Sequence, residues 1–195
     1  MQKLISDNQI VLRMQIEVEV RSFISEGKYE ELINFFSKNG KLISTDNQTT
    51  FYFDAKTDLR IQKNDFFSKI WLKKGKIHDD AREEIEIKFR KEDFENLERL
   101  FLTLRYNVAI KWFRKRHTFA WQGVNVMVDF TKGYGYIIEL EKKASEKEKD
   151  KTLEMLKQKM SLLKIPITPK KEFDEKYEYY KKNWKSLIEV QNKCC

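Results

Sequence analysis

The sequence predicts an α+β fold in which antiparallel strands close into a barrel with a polar lumen and helices pack on its outside. Three observations carry that reading. Several segments alternate between charged and apolar residues, as strands with two unlike faces do. Four others carry apolar residues at helical spacing and need an apolar surface to pack on. With 6 glycines and 2 prolines among 195 residues, the elements must be long and the loops few. The apolar strand faces supply what the helices need, which turns the charged faces toward one another.

Four helices are expected. Residues 28–39 carry Leu32, Ile33, Phe35 and Phe36, with Gly40 at the position of a C-cap glycine. Residues 93–105 carry Phe94, Leu97, Leu100, Phe101 and Leu104. Residues 145–163 place Leu153, Leu156, Met160 and Leu163 on one face, and Pro166 and Pro169 then interrupt the chain. Residues 172–190 form an aromatic helix with Phe173, Tyr177, Tyr180 and Trp184, whose spacing suits packing on the barrel.

The strands come next. Glu17, Glu19 and Arg21 alternate with Ile16, Val18 and Val20, and Glu84, Glu86 and Lys88 alternate with Ile85, Ile87 and Phe89. Glu139 and Glu141 alternate with Ile138 and Leu140. Shorter relatives are Leu59 to Gln62 and Ile70 to Lys73, while Arg114 and Arg116 share one face, as do Asn125, Met127 and Asp129. An ordinary half-wet sheet also alternates, but these polar faces repeat acidic pairs and basic pairs instead of mixing small polar residues.

Composition narrows the partner. A net charge of +8 with 36% charged residues suits an anion: nucleic acid, a membrane surface or a phosphorylated small molecule. No nucleic-acid motif accompanies the lysine-rich run 142–159, which reads as a solvated helix face, so no nucleic acid is expected. No apolar run approaches a membrane span and no signal peptide opens the chain, so no membrane partner is expected and a cytoplasmic location is. The two cysteines, Cys194 and Cys195, exclude a disulfide framework and suit a frayed tail or a lipidation signal. One domain over residues 1–195 is expected, with the C-terminal helices (about 145–190) packed on the barrel.

Carboxylates and cations in a narrow lumen must meet counter-charges. They can neutralise each other, or share a ligand carrying both signs. Oxygen ligands suit Mg²⁺ or Mn²⁺, and arginine and lysine suit phosphate oxygens. A metal-bound triphosphate satisfies both halves.

The motifs then line up with a known family. Glu17-Val18-Glu19-Val20-Arg21 resembles the E-x-E-x-K first strand of the CYTH proteins, the triphosphate tunnel metalloenzymes. Tyr52-Phe53-Asp54 followed by Leu59-Arg60-Ile61-Gln62 resembles their Y-F-D…L-R-x-R stretch, and Ile70-Trp71-Leu72-Lys73 their L-T-L-K strand. Arg82 to Glu86 resembles R-x-E-x-E, and Phe113-Arg114-Lys115-Arg116 the V-x-K-x-R strand. Asp129, Gly133, Gly135, Glu139 and Glu141 resemble D-x-x-x-G-x-G-x-x-x-E-x-E. The resemblance runs from about residue 14 to residue 185.

It implies a closed eight-stranded antiparallel barrel, the triphosphate tunnel, with flanking helices. It implies that Glu17, Glu19, Asp129, Glu139 and Glu141 hold Mg²⁺ or Mn²⁺, and that Glu17, Glu19 and Arg21 are catalytic. Arg21, Arg60, Lys73, Arg114 and Arg116 would bind the triphosphate, supported by Glu84, Glu86 and Lys88. The implied activity is that of a class IV adenylyl cyclase, converting ATP to cyclic AMP and pyrophosphate. The alternatives are hydrolysis of tripolyphosphate, thiamine triphosphate or a nucleoside triphosphate, or triphosphate binding without turnover. Arg21 stands where the family usually has Lys and Gln62 where it often has Arg, which bears on substrate and rate. His78 and His117 lack ligand partners at metal spacing and read as structural or surface residues, and Gly133-Tyr134-Gly135 is not a phosphate loop. The pattern is silent on oligomeric state, and a homodimer stays among the expected forms.

Overall fold

A computed structural model describes residues 16–73 and 84–193, with side chains described up to residue 189. Eight strands form one antiparallel sheet: β1 (Ile16–Ile24), β2 (Lys41–Phe53), β3 (Asp58–Lys63), β4 (Phe67–Lys73), β5 (Glu84–Arg90), β6 (Val108–Trp121), β7 (Val124–Thr131) and β8 (Gly135–Ala144). Their spatial order is β1-β8-β7-β6-β2-β3-β4-β5. Helices α1 (Glu26–Asn39), α2 (Phe94–Thr103), α3 (Lys149–Leu162) and α4 (Lys170–Lys193) flank it. These boundaries shift the expected helices by a few residues. The first turn before α3 is a 3-10 turn closed by Ser145 and Glu148, whose side chains hydrogen-bond at 2.6 Å.

The sheet is strongly curled. Lys73 on β4 acts electrostatically on Glu139 of β8, five strands away in the sheet. In a flat sheet those strands would lie about 24 Å apart. The curl brings the charged faces to the inside, as expected. Closure of the barrel is a different matter: among the described residues β1 and β5 are edge strands, and no pairing joins them. Hydrophobic alternation specifies which face turns inward, but not whether the last strand meets the first.

The apolar faces pack outward on the helices. Val18, Val20, Val126, Val128, Ile138 and Leu140 meet Leu32 and Phe36 of α1 and Leu156 and Met160 of α3 in one core. A second core departs from the expected outside packing: Ile110 and Trp112 share the inner face with Arg114 and meet Phe173, Tyr177 and Tyr180 of α4 there, while a third, on the outer face, joins Phe51, Phe53 and Ile61 to Phe94, Leu97 and Phe101 of α2. The apolar row of β5 departs from this plan. Ile85 and Ile87 remain 45% and 54% exposed, although a helix was expected to cover them.

Ser25 caps α1 by accepting the Lys28 amide at 3.2 Å. Gly40 ends it, but in extended backbone and not in the left-handed C-cap geometry the sequence suggested. Its role is close approach: a Cβ there would meet the Phe36 and Ala120 carbonyl oxygens at 3.0 and 3.1 Å. Gly133 turns the β7–β8 hairpin at φ 73°, and a Cβ there would strike Leu187 of α4 at 2.8 Å.

Candidate active site

The inner face of the sheet is a ladder of polar residues set by strand register. Arg21 lies opposite Glu139 and Glu19 opposite Glu141 across β1 and β8. Arg116 lies opposite Asp129, Tyr52 opposite Arg60, Thr50 opposite Gln62, and Lys73 opposite Glu84. Curling this ladder makes a cleft of about 770 Å³, counting its open mouth. Arg21, Arg60, Lys73, Arg114, Arg116, Glu19, Asp129 and Glu139 line it, as the sequence suggested. Glu17 and Glu141 share the same face just beyond the lining, and Glu84, Glu86 and Lys88 sit on the edge strand β5.

Each inward cation has a counter-charge. Arg116 donates to both Asp129 oxygens, Nε at 2.9 and 3.2 Å and Nη2 at 2.7 Å, and stands 3.6 Å from Glu139. Arg114 lies 3.5 Å from Asp129. Arg60 forms a bidentate pair with Asp58, its Nε donating at 2.6 Å, and its guanidinium lies over the Tyr52 and Trp71 rings at 4.4 and 5.1 Å. Lys73 pairs with Glu84, whose carboxylate also accepts the Trp71 indole N–H at 3.0 Å. Arg21 is 3.4 Å from Glu19 and 5.1 Å from the Phe173 ring.

The carboxylates divide by environment. Burial raises Glu139, but Arg116, Arg21, Arg114 and Lys73 outweigh it and hold Glu139 below the ordinary carboxylate range. Glu141 goes the other way: burial, then the charges of Glu17 and Glu139, then a hydrogen bond with Glu17 hold it above that range. One proton thus stands between Glu17 and Glu141 where a cation would be welcome. Among the described residues no three acidic, histidine or cysteine side chains converge at ligand distance. The donor set nevertheless fits a hard divalent ion: oxygen donors only, crowded enough to retain a proton. Occupancy would require Asp129 and Glu139 to release Arg116.

Several inward-facing residues escaped the sequence reading. Lys69 points inward two residues before Trp71, donates to Glu86 at 2.6 Å, and has its pKa lowered by burial despite that partner. Lys69 and Lys73 sit on the Trp71 ring, 3.9 and 4.1 Å from its centroid. Trp112, 5% exposed, lines the cleft with an Nε1 donor that has no hydrogen-bond partner among the described residues, and the Arg114 Nε is in the same condition. Tyr134, Phe173 and Tyr177 add an aromatic wall, the last two from α4, so residues assigned only to packing also face the cavity. The repeated placement of Trp112, Arg114 and Arg116 two residues apart was a usable signal for Trp112. Gln62 spends its amide on Thr50 at 2.9 Å. His117 faces outward and shares a 3.2 Å hydrogen bond with Tyr29, while His78 and Cys194–Cys195 lie outside the described residues.

No helix among the described residues is long and apolar enough to cross a membrane. No curated protein matches the chain in sequence. Solved structures match in fold. A conserved hypothetical protein from Pyrococcus furiosus aligns with TM-score 0.66 and 21% identity, covering 77% of this chain and 91% of that one. A candidate adenylate cyclase from Vibrio parahaemolyticus aligns with TM-score 0.62 and 14% identity, covering 81% and 97%. A protein from Hippeastrum, described as a candidate adenylyl cyclase with a dominant triphosphatase activity, aligns with TM-score 0.57 and 20% identity, covering 78% and 89%. The family model for the CYTH domain matches residues 15–177. With the ordered motifs and the charged inner face of one curled eight-stranded sheet, that match establishes that the chain belongs to the CYTH family.

Proposed function

We propose that this protein is a divalent-metal-dependent enzyme acting on a triphosphate held in the cleft, and that its reaction is the cyclisation of ATP to cyclic AMP and pyrophosphate. The observation that carries this reading is the cleft's two-part lining. Arg60, Lys73, Arg114 and Arg116 suit a polyphosphate, and the aromatic wall of Tyr52, Trp112, Tyr134, Phe173 and Tyr177 beside them suits a planar base.

In this reading Arg116, Arg114 and Lys73 hold phosphate oxygens and stabilise the charge that develops as pyrophosphate leaves. Arg60 is oriented by Asp58, and Arg21 fixes the phosphate chain from β1. Mg²⁺ or Mn²⁺, held by Glu17, Glu19, Asp129, Glu139 and Glu141, would supply Lewis-acid polarisation of the phosphoryl group.

A second reading, hydrolysis of a triphosphate that carries no ring, such as tripolyphosphate, is favoured by the packing of the aromatic wall on itself. Phe173 stacks on Phe23 at 4.2 Å and Trp112 meets Tyr134 at 4.5 Å with the rings tilted by 50°, which limits the room for a base. Turnover of ATP, tripolyphosphate and thiamine triphosphate with Mg²⁺ or Mn²⁺, products resolved by chromatography, separates the two. Cyclic AMP from ATP supports the first, and orthophosphate without cyclic nucleotide supports the second. Metal-dependent binding with no product would overturn both and leave a binding module. Glu139→Gln is expected to abolish turnover while the protein stays folded.

A further inference from the structure

The outer edge of β5 is written in a self-complementary code. Reading along Glu84, Ile85, Glu86, Ile87, Lys88, Phe89 and Arg90, charges occupy one face and apolar residues the other, with acids at the start and bases at the end. Turned antiparallel on a copy of itself about Ile87, the strand sets Glu84 opposite Arg90, Glu86 opposite Lys88, Ile85 opposite Phe89, and Ile87 opposite Ile87. Both faces match at once. Sliding the copy by two residues either way puts Glu86 opposite Glu86 or Lys88 opposite Lys88, and an in-register parallel pairing sets like charges together throughout.

The structure leaves this edge presented. Among the described residues β5 pairs only with β4, and Ile85 and Ile87 on its outward face are about half exposed. Lys88 and Arg90 are mostly solvated on their side-chain atoms, at 61% and 81%. Charges along an edge strand ordinarily discourage pairing. Here their order discourages every antiparallel self-register except one.

We propose that β5 is a dimerisation edge, and that its occupant is β5 of a second copy of this chain, joined antiparallel about a twofold axis at Ile87. The pairing is isologous strand addition: main-chain hydrogen bonds hold it, cross-strand pairs set the register, and the two curled sheets become continuous. It does not depend on the reaction assigned to the cleft.

The test is a register-specific crosslink in the full chain carrying Cys194→Ser and Cys195→Ser. Directly opposed Cα atoms lie roughly 4.5–5.5 Å apart, within disulfide reach. Ile87→Cys is therefore expected to give a covalent dimer under mild oxidation. Ile85→Cys, whose symmetry mate would be about 13 Å along the strand, is expected not to. Both sites are half exposed, and far-UV circular dichroism checks that each variant folds. Sedimentation velocity without cysteine chemistry should give a reversible dimer across the micromolar range, with Arg90→Glu weakening it by about tenfold through two new acid pairs. A monomer at every concentration, or crosslinking as fast through residue 85 as through residue 87, would overturn the proposal.

Discussion

Removing the charge of Asp129 tests the electrostatic reading of the cleft most directly. Asp129 is 2% exposed, takes three donor contacts from Arg116, and is the nearest acid to Arg114. Asp129→Asn keeps the shape and one acceptor oxygen but leaves two guanidinium groups with Glu139, 3.6 Å from Arg116, as the main remaining counter-charge. Breaking a buried pair from one side costs about 3–5 kcal/mol. The Arg116 side chain keeps 18% of its exposure, so the lower end applies. For a chain of this length, about 3 kcal/mol corresponds to a fall in Tm of roughly 6–12 °C. The assay is thermal unfolding with and without tripolyphosphate. The anion supplies the missing negative charge, so it should raise the Tm of the variant more than that of the wild type. A loss below about 1 kcal/mol, or equal stabilisation of both proteins by tripolyphosphate, would refute the claim that Asp129 is the counter-ion of the arginine pair.

Other outcomes follow from the same geometry. Because Glu141 is held protonated above the ordinary carboxylate range, Mg²⁺ binding at neutral pH should release a proton, and apparent affinity should rise with pH until the raised pKa is passed. Calorimetry in buffers of different ionisation enthalpy measures that release, which Glu141→Gln should abolish. In the metal-free protein the raised pKa works with the opposite sign on stability. The contribution is intact below the unfolded carboxylate pKa and is lost as pH rises through the folded one. Leu140→Ala should cost about 2–5 kcal/mol in chemical denaturation, since Leu140 is fully buried, whereas half-exposed Ile85→Ala should cost under about 1 kcal/mol. Trp112→Phe removes an unpartnered buried donor that lines the cleft, and should weaken tripolyphosphate binding by about ten- to a hundredfold in a direct titration.

Much of this site was legible because a strand has a period of two. Arg60 with Gln62, Arg114 with Arg116, and Glu19 with Arg21 face inward for no reason beyond pleating and the apolar residues between them. What escaped had a different grammar. Trp112 and Tyr134 look like core in a sequence, yet they face the cations, where an aromatic ring can stack on a guanidinium and an indole can donate. Lys69 was lost because its strand was read from Ile70 onward, although β4 begins at Phe67. Asp58 was lost in the same way, because its strand was read from Leu59 onward although β3 begins at Asp58. The open edges depend on curvature, which periodicity does not encode.

The pairing of every cleft cation with an internal carboxylate has a consequence for selectivity. A guest enters by exchange of partners, as on an ion-exchange resin loaded with its own counter-ions. A bare triphosphate would compete with Asp58 and Asp129 for Arg60 and Arg116, so the attraction gained by the phosphate would be offset by the internal pairs it breaks. A triphosphate arriving with its own divalent cation brings a substitute for both halves of each broken pair. On the proposed function, the cleft would therefore discriminate between the free polyanion and its metal complex through the conservation of local charge, before any contact with the group the triphosphate carries.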